Sequence, residues 1–406
     1  MTRGGAHRRG AVDRARPLRA GGQGRLNALP TPRMTPRPIL LVLALLGIAL
    51  LPPPAAAQET AESPNTDGGG PELTFGGLVQ TQFNTTSQGG PEPTELALRR
   101  VRLSANARLG PRLSGRIQAE LANAAVGGSA ELNEAYALLE LSPAVGVLVG
   151  KGGRPFGAID ATPAARLTPI ERGARFRGAD AAELYGVLEA LAYAGRSVGV
   201  QVLGDVEGLP VGLAYAAGYF TGSTGEEGTD ADIRQVAARV QVAPVPGLAV
   251  GLAATNRAFG RDAPPDLGPD GAVGARPTGE TRRGSAFAVD VALGDYGEPG
   301  LHGLLELAAG TLDPFTDDTF RAAQGWLAYR APVGRGVLAA VEPMVRVGAA
   351  SAQGPLSRAD GVLVTPGLNL YGRGNARLAL NLDAFFPSAD GADALVAFRS
   401  QVQIEF

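Results

Sequence analysis

Side chains that could perform catalysis are scarce in this sequence of 406 residues, which contains no Cys and two His. The lack of Cys excludes thiolate nucleophiles, disulfides and cysteine-based metal sites. His7 lies in an arginine-rich start, so a Ser-His-Asp triad would depend on His302 alone. His302 is predicted to lie on the polar face of a strand, the same face as Glu306, which is typical of a residue that lines a wall. We therefore predict that the chain is not an enzyme and carries no cofactor or metal.

Two further motifs share some features with known ligand-binding sites. Gly146–Lys151 has three residues between its glycines where a phosphate-binding loop needs four, and Gly152 stands where Ser or Thr would hold Mg²⁺. Asp313, Asp317 and Asp318 cluster in a predicted loop and could bind Ca²⁺, although a solvated polar loop is the simpler interpretation. Neither motif predicts a site.

The charge of the chain is divided between two unlike parts. Residues 1–57 contain nine Arg and one acid, Asp13. The remainder has 28 basic and 38 acidic residues, a net charge of −10. A net acidic chain does not favour a nucleic-acid partner, which requires a clustered basic face.

The start of the chain has the features of an export signal. Ile39–Leu51 is an apolar run of 13 residues, too short to span a membrane, and it lies between Arg37 and the cleavage pattern Ala55-x-Ala57. We predict a signal peptide at 34–57 and a flexible periplasmic linker at 58–71. Residues 1–33 are interpreted as a misassigned upstream start or a long n-region; a mitochondrial transit peptide is the rival interpretation of the arginines.

From residue 72 onward the sequence alternates between apolar and polar side chains, which is typical of strands. Val101–Leu109 places Val, Leu and Ala on one face and Arg, Ser and Asn on the other. We predict sixteen strands, at 72–84, 94–109, 112–123, 131–142, 145–152, 196–206, 209–221, 232–243, 246–256, 283–294, 300–311, 318–330, 335–348, 360–372, 374–387 and 392–406. The segment 318–330 is the least regular, because Trp326 and Tyr329 have opposite parities.

Connection lengths indicate how these strands are arranged. Connections after even-numbered strands are short, such as Gly110-Pro111, whereas those after odd-numbered strands are mostly long and polar. Tight turns on one rim and long loops on the other are typical of outer-membrane β-barrels, and an even strand number fits that class. We therefore predict an all-β transmembrane antiparallel barrel at 72–406, in the bacterial outer membrane. A soluble β-sandwich or β-solenoid is the alternative, since any half-buried strand alternates.

Several short motifs, in order along residues 72–406, resemble the phosphate-selective porin O and P family. They are Leu96–Leu103 (LALRRVRL), Leu148–Gly157 (LVGKGGRPFG), Leu167–Arg172 (LTPIER), Ala216–Gly222 (AAGYFTG), Val341–Arg346 (VEPMVR) and Thr365–Tyr371 (TPGLNLY). The resemblance implies a sixteen-stranded, trimeric outer-membrane porin, without by itself implying phosphate. The terminal aromatic Phe406 resembles the signal by which such proteins engage the outer-membrane assembly machinery.

Strand parity predicts which charged side chains line the pore. The predicted anion-contacting residues are Arg100, Arg102, Arg108, Arg116, Arg377 and Arg399. Arg239 and Arg346 have the same parity, as do the acids Glu120, Glu134, Glu140, Asp290, Glu306, Glu342, Asp383 and Glu405. Barrel closure brings Arg377 and Arg399 beside the arginines of strands 2 and 3, so one side of the wall is expected to be basic.

The long connection Gly153–Gly195 is predicted to fold into the lumen and form a constriction, with a lid outside the membrane as the alternative. Its charged candidates are Arg154, Asp160, Arg166, Glu171, Arg172, Arg175 and Arg177. Residues 181–193 carry the one helical period of the mature chain, and are expected to form a short helix or to lie against the wall.

These features predict a porin for passive diffusion of small hydrophilic solutes, in contact with outer-membrane lipid, with mild anion preference and phosphate as one candidate anion. A dedicated phosphate channel and a non-conducting structural or adhesion barrel are the alternatives.

Overall fold

The computed structural model describes residues 71–86, 94–174, 176, 183–221, 234–260, 281–352, 360–388 and 392–406. The predicted upstream extension, signal peptide and linker up to residue 70 lie outside the described residues. So do two of the predicted constriction residues, Arg175 and Arg177.

Sixteen strands form a single closed antiparallel barrel, as the alternation predicted. The strands are β1 Glu72–Thr86, β2 Thr94–Arg108, β3 Leu113–Glu120, β4 Glu131–Ser142, β5 Val145–Gly153, β6 Arg196–Val206, β7 Gly212–Thr221, β8 Arg234–Val245, β9 Leu248–Gly260, β10 Thr281–Leu293, β11 Gly300–Asp313, β12 Asp318–Arg335, β13 Leu338–Ala352, β14 Gly361–Gly372, β15 Ala376–Pro387 and β16 Leu395–Glu405.

Every strand pairs with its neighbours in sequence, and β1 closes the barrel by pairing with β16. The closing register places Gln82 opposite Gln401 and Leu78 opposite Glu405. The last residue extends this seam, because the Gly77 amide donates to the Phe406 carbonyl at 2.7 Å. A closed barrel leaves no strand edge unpaired, which a structure in lipid requires.

The two faces of the barrel differ in polarity. Side chains that point outward are exposed and apolar, such as Ile117 at 59% and Phe287 at 64% exposure. On the opposite face, Glu306, Gln324 and Glu342 are fully buried from solvent. An apolar outer surface suits contact with lipid, and the polar side chains occupy the interior.

The short turns on one rim use glycine where the backbone reverses. Gly110, between β2 and β3, has φ of 80°, and Gly247, between β8 and β9, has φ of 76°. Residues other than glycine rarely adopt this left-handed backbone conformation, so these glycines permit tight turns.

The longest described interruption between strands separates β5 from β6, and we name residues 154–195 loop L3. Its described residues form two short helices, α1 Ala158–Ala161 and α2 Leu184–Ala190, with a 3₁₀ turn at Ala164–Arg166 between them. Helix α2 lies within residues 181–193, the segment with a helical period in the sequence. No helix of the described ranges is long and apolar enough to cross a membrane.

Candidate functional site

Loop L3 leaves and rejoins the wall at one point. The Arg154 amide donates to the Gly195 carbonyl at 2.9 Å, and the Gly195 amide donates to Asp160 Oδ2 at 2.7 Å. Arg154 also donates to Gln235 Oε1 on β8 at 2.9 Å. Arg154 and Asp160, predicted as constriction residues, therefore fasten the base of the loop.

Glu171 is the main polar contact between L3 and the first two strands. Its carboxylate accepts from Arg100 Nη2 at 2.6 Å and from Arg99 Nε at 2.8 Å. Gln82 Nε2 adds a third donor at 2.6 Å. Two guanidinium groups and an amide on one carboxylate form a charge-assisted cluster.

This cluster keeps Glu171 ionised. Burial by itself would raise the pKa of Glu171, but the positive charges of Arg100 and Arg99 outweigh burial and hold that pKa well below its ordinary value. The ion pairs of Glu171 therefore persist at every pH above the ordinary pKa range of a carboxyl group.

A second set of contacts joins L3 to β13–β16. Arg346 Nη1 donates to the Glu171 carbonyl at 2.9 Å, and its Nη2 lies 2.7 Å from Asp383 Oδ1. Arg399 Nε binds the other oxygen of Asp383 at 2.6 Å. Arg377 donates to the backbone carbonyls of Leu167 and Thr168. These arginines bind backbone carbonyls of L3 or acids of the wall.

An apolar contact completes the attachment. Leu184, Val187 and Leu188 of α2 are fully buried and belong to one cluster with side chains of β7–β13. Most of the strand residues in this cluster are alanines, and they are Ala237, Ala253, Ala286, Ala288, Ala308, Ala322, Ala350 and Ala352. Alanine at these positions leaves room inside the wall for the larger side chains of the loop.

The remaining predicted loop residues have different environments. Arg172 is buried and donates to the carbonyls of Ile159 and Thr162, so it stabilises the loop internally. Arg166 is exposed.

The wall formed by β2, β3, β4 and β6 carries charged side chains that remain partly accessible. Arg102 pairs with Glu120 at 2.8 Å. Glu134 accepts from both Arg116, at 2.8 Å, and Arg196, at 3.0 Å. These side chains are 14–30% exposed, unlike the fully buried arginines beneath L3.

Arg108 lies near the short-turn rim and is exposed. It forms no ion pair with the described residues, although Glu72 is its partner in the register of β1 and β2. This part of the wall therefore presents guanidinium groups that a solute can reach.

The structure divides the predicted anion-contacting arginines into two groups. Arg102, Arg108 and Arg116 lie on the accessible wall. Arg100, Arg377 and Arg399 are at most 9% exposed. The prediction that Arg100, Arg377 and Arg399 contact solutes does not agree with these positions. Their guanidinium groups already bind acids of L3 and of the wall, or carbonyls of L3.

Strand parity alone did not identify Arg99. The register of β1 with β2 pairs Gln80 with Arg100 and Thr81 with Leu98, so Arg99 is the extra residue of a β-bulge. A bulge lets adjacent side chains point toward the same side, and both Arg99 and Arg100 reach Glu171. The sequence signal was the pair of adjacent arginines, which breaks the alternation.

No metal centre is formed by the part of the chain that the structure describes, where no group of three or more His, Asp and Glu side chains is suitably placed. The Nε2 atom of His302 lies 3.6 Å from Glu342 Oε2 and 3.4 Å from the Thr168 hydroxyl.

No family model and no curated protein sequence matches this chain. Solved outer-membrane proteins share its fold. The anion-selective porin from Comamonas acidovorans aligns with a TM-score of 0.54 and 15% identity, covering 83% of this chain and 100% of that chain. The outer-membrane channel DcaP of Acinetobacter baumannii aligns with a TM-score of 0.53 and 10% identity, covering 83% and 98%.

The trimer form of OmpT, an outer-membrane protein of Vibrio cholerae, aligns with a TM-score of 0.52 and 14% identity, covering 83% of this chain and 100% of that chain. At identities this low the likeness concerns the fold. The chain therefore has the fold of outer-membrane porins.

Proposed function

We propose that this protein is an outer-membrane porin through which small hydrophilic solutes diffuse passively. The observation that supports this most directly is the closed barrel, apolar outside and charged inside. A sixteen-stranded barrel is wide enough to enclose an aqueous channel. Export to the bacterial outer membrane, assembly through Phe406 and a homotrimeric state belong to the same proposal, supported by the fold shared with a protein solved in trimer form.

L3 narrows this channel in our proposal. Its contacts with inward side chains of β1, β2 and β11–β16 support a position inside the barrel. The accessible passage is then bounded by L3 on one side and by β2–β6 on the other. Small solutes would pass along Arg102, Arg116 and their carboxylate partners.

A mild anion preference follows from the charges of that wall. Arg102, Arg116 and Arg196 pair with two carboxylates, those of Glu120 and Glu134. Near the short-turn rim Arg108 faces Glu72 in the register of β1 and β2, so the excess lies at the level of Arg102, Arg116 and Arg196. An excess of fixed positive charge raises the local concentration of anions, most strongly at low ionic strength.

A dedicated phosphate channel has less support. Bidentate binding of phosphate requires guanidinium groups with free donors. Arg100, Arg377 and Arg399 are three of the six predicted anion-contacting arginines, but they are buried and already engaged in other hydrogen bonds. We therefore favour a general porin.

The test is the zero-current potential of the purified protein in a planar bilayer under a KCl gradient. We expect anion selectivity, and a shift toward cations in a variant with Arg102→Gln, Arg108→Gln and Arg116→Gln. Arg321→Gln is the matched control, because Arg321 is exposed and shares the outward parity of Leu327. Strong cation selectivity of the wild type would refute the basic-wall argument, and micromolar block of chloride current by phosphate would favour the dedicated channel.

One observation favours the second candidate, a non-conducting structural or adhesion barrel. L3 and the strands β7–β13 share a packed apolar cluster, which fills part of the interior. If the filling were complete, the same bilayer experiment would show no channels at any voltage.

A further inference from the structure

A cavity of ≈ 290 Å³ lies beneath L3, between the loop and strands β8, β10, β11 and β12. Leu293, Gly294 and Tyr296, at the end of β10 and in the turn that follows, place it on the short-turn side of the loop. The loop itself contributes Arg166 and Thr168. None of the contacts that attach L3 to the wall requires this space to be filled.

The cavity contains one positive charge that is not compensated. Arg239 and Asp290 both line it, but they neutralise each other, with Arg239 Nη2 2.8 Å from Asp290 Oδ1. Arg166 is exposed, and its side chain forms no ion pair or hydrogen bond with the described residues. Its guanidinium group therefore has its donors available for an anion.

The rest of the lining combines apolar side chains with the polar Thr162, Thr168, Gln241, Tyr296 and His302. Trp326, Leu304 and Ala292 contribute from the wall, and Ala158 contributes from L3. Trp326 has its side chain turned inward, with 8% of its surface exposed. A flat apolar surface beside one guanidinium group and the Thr168 hydroxyl is a combination that an amphipathic anion would satisfy.

We propose that this cavity binds a small monocarboxylate that carries an apolar ring, as a solute-binding site along the passage. The carboxylate accepts from Arg166, with the Thr168 hydroxyl as a second donor, and the ring packs against Trp326 and Leu304. Inorganic phosphate suits the cavity less well, because it would leave the apolar wall uncovered and would present more negative charge than Arg166 balances. This inference rests on the proposed function, since the solute reaches the cavity through the channel.

Trp326 makes the proposal directly measurable, because it is the single Trp of the chain. Benzoate is titrated into the folded protein in detergent while tryptophan emission is recorded. We expect a saturable change, with affinity weakened about tenfold or more by Arg166→Gln and partly restored by Arg166→Lys. Arg321→Gln is the control and is expected to leave the titration unchanged. Benzyl alcohol, which lacks the charge, and phosphate, which lacks the ring, are expected to compete weakly.

A titration that does not saturate, or one that Arg166→Gln leaves unchanged, would overturn the proposal. Equal competition by benzyl alcohol would remove the role of Arg166, and strong competition by phosphate would replace the monocarboxylate with a phosphate ligand. Conductance is measured on the same preparations. Channels that conduct without benzoate binding would refute the site alone, whereas Arg166-dependent binding in a barrel that never conducts would refute the proposed function alone.

Discussion

At the scale of single residues, the acids of L3 determine how firmly the loop is held. Glu171 and Glu183 are both buried or nearly so, but within the described ranges only Glu171 is paired with positive charges. Glu171 faces Arg99 and Arg100. Glu183 Oε1 accepts from the Ala174 amide at 3.2 Å, but its Oε2 has no hydrogen-bond partner among the described residues. The two residues therefore give two different predictions.

Replacing Glu171 by Gln is expected to lower the free energy of unfolding by roughly 2 kcal/mol, because Arg100 would be left buried without its carboxylate. The exposed position of Arg99 limits the loss. Urea unfolding in lipid vesicles measures the change. Glu140→Gln is the control, since the Glu140 side chain is exposed and makes no hydrogen bond or ion pair with the described residues. Equal stability of the two variants would contradict this account of the attachment.

The pKa of Glu183 is raised, whereas that of Glu171 is lowered, so Glu183 makes the folded protein less stable as the pH rises. Burial raises the pKa of Glu183 from 4.5 to about 7, although the positive charge of Arg346 lowers it and Asp383 raises it slightly. The folded protein therefore binds a proton that the unfolded chain releases, so this contribution is complete below pH 4.5 and is lost as the pH rises through 7.

We expect the wild type to lose about 2–3 kcal/mol relative to Glu183→Gln between those limits. Urea unfolding at a series of pH values measures the difference between the two proteins, which cancels the other titrating groups. Parallel curves for the two proteins would show that Glu183 is already ionised in the folded barrel.

At the scale of elements, glycine at one wall position lets L3 approach β13. A Cβ on Gly348 would lie 2.5 Å from Glu183 Cβ, while its nearest wall atom, the Ala323 carbonyl oxygen, would be 3.6 Å away. Gly348→Ala is therefore expected to displace the start of α2 without disturbing the barrel, and to raise protease cleavage within L3.

The matched control is Gly152→Ala on β5, where the new Cβ would have no neighbour closer than 3.6 Å. Limited proteolysis followed by mass analysis compares the two variants. Cleavage of L3 at the same rate in both would mean that the loop does not depend on contact with β13.

The strands could be predicted from sequence because their alternation is local: each side chain reports its own face. Trp326 and Tyr329 illustrate this, since their opposite parities correspond to an inward and an outward side chain in β12. The bulge at Arg99 and the partners of L3 could not be predicted in this way. They depend on register and on contacts between residues far apart in the chain, such as Arg377 with Thr168.

At the scale of the whole molecule, the interior is divided between two kinds of wall. Small inward side chains on β7–β13 receive the apolar face of α2. Charged inward side chains on β2–β6 remain accessible. In our account the first wall supports the constriction and the second wall faces the solute.

Single-channel conductance of an L3-shortened variant tests this account most directly. Gly157 and Gly195 are joined by a short Gly-Ser linker in place of residues 158–194, which is feasible because Arg154 and Gly195 are already hydrogen-bonded at 2.9 Å. We predict that the wild type forms channels in a planar bilayer and that the shortened variant conducts more current per channel. Equal conductance of the two proteins would contradict a constriction formed by L3, and the absence of channels in both would contradict a porin.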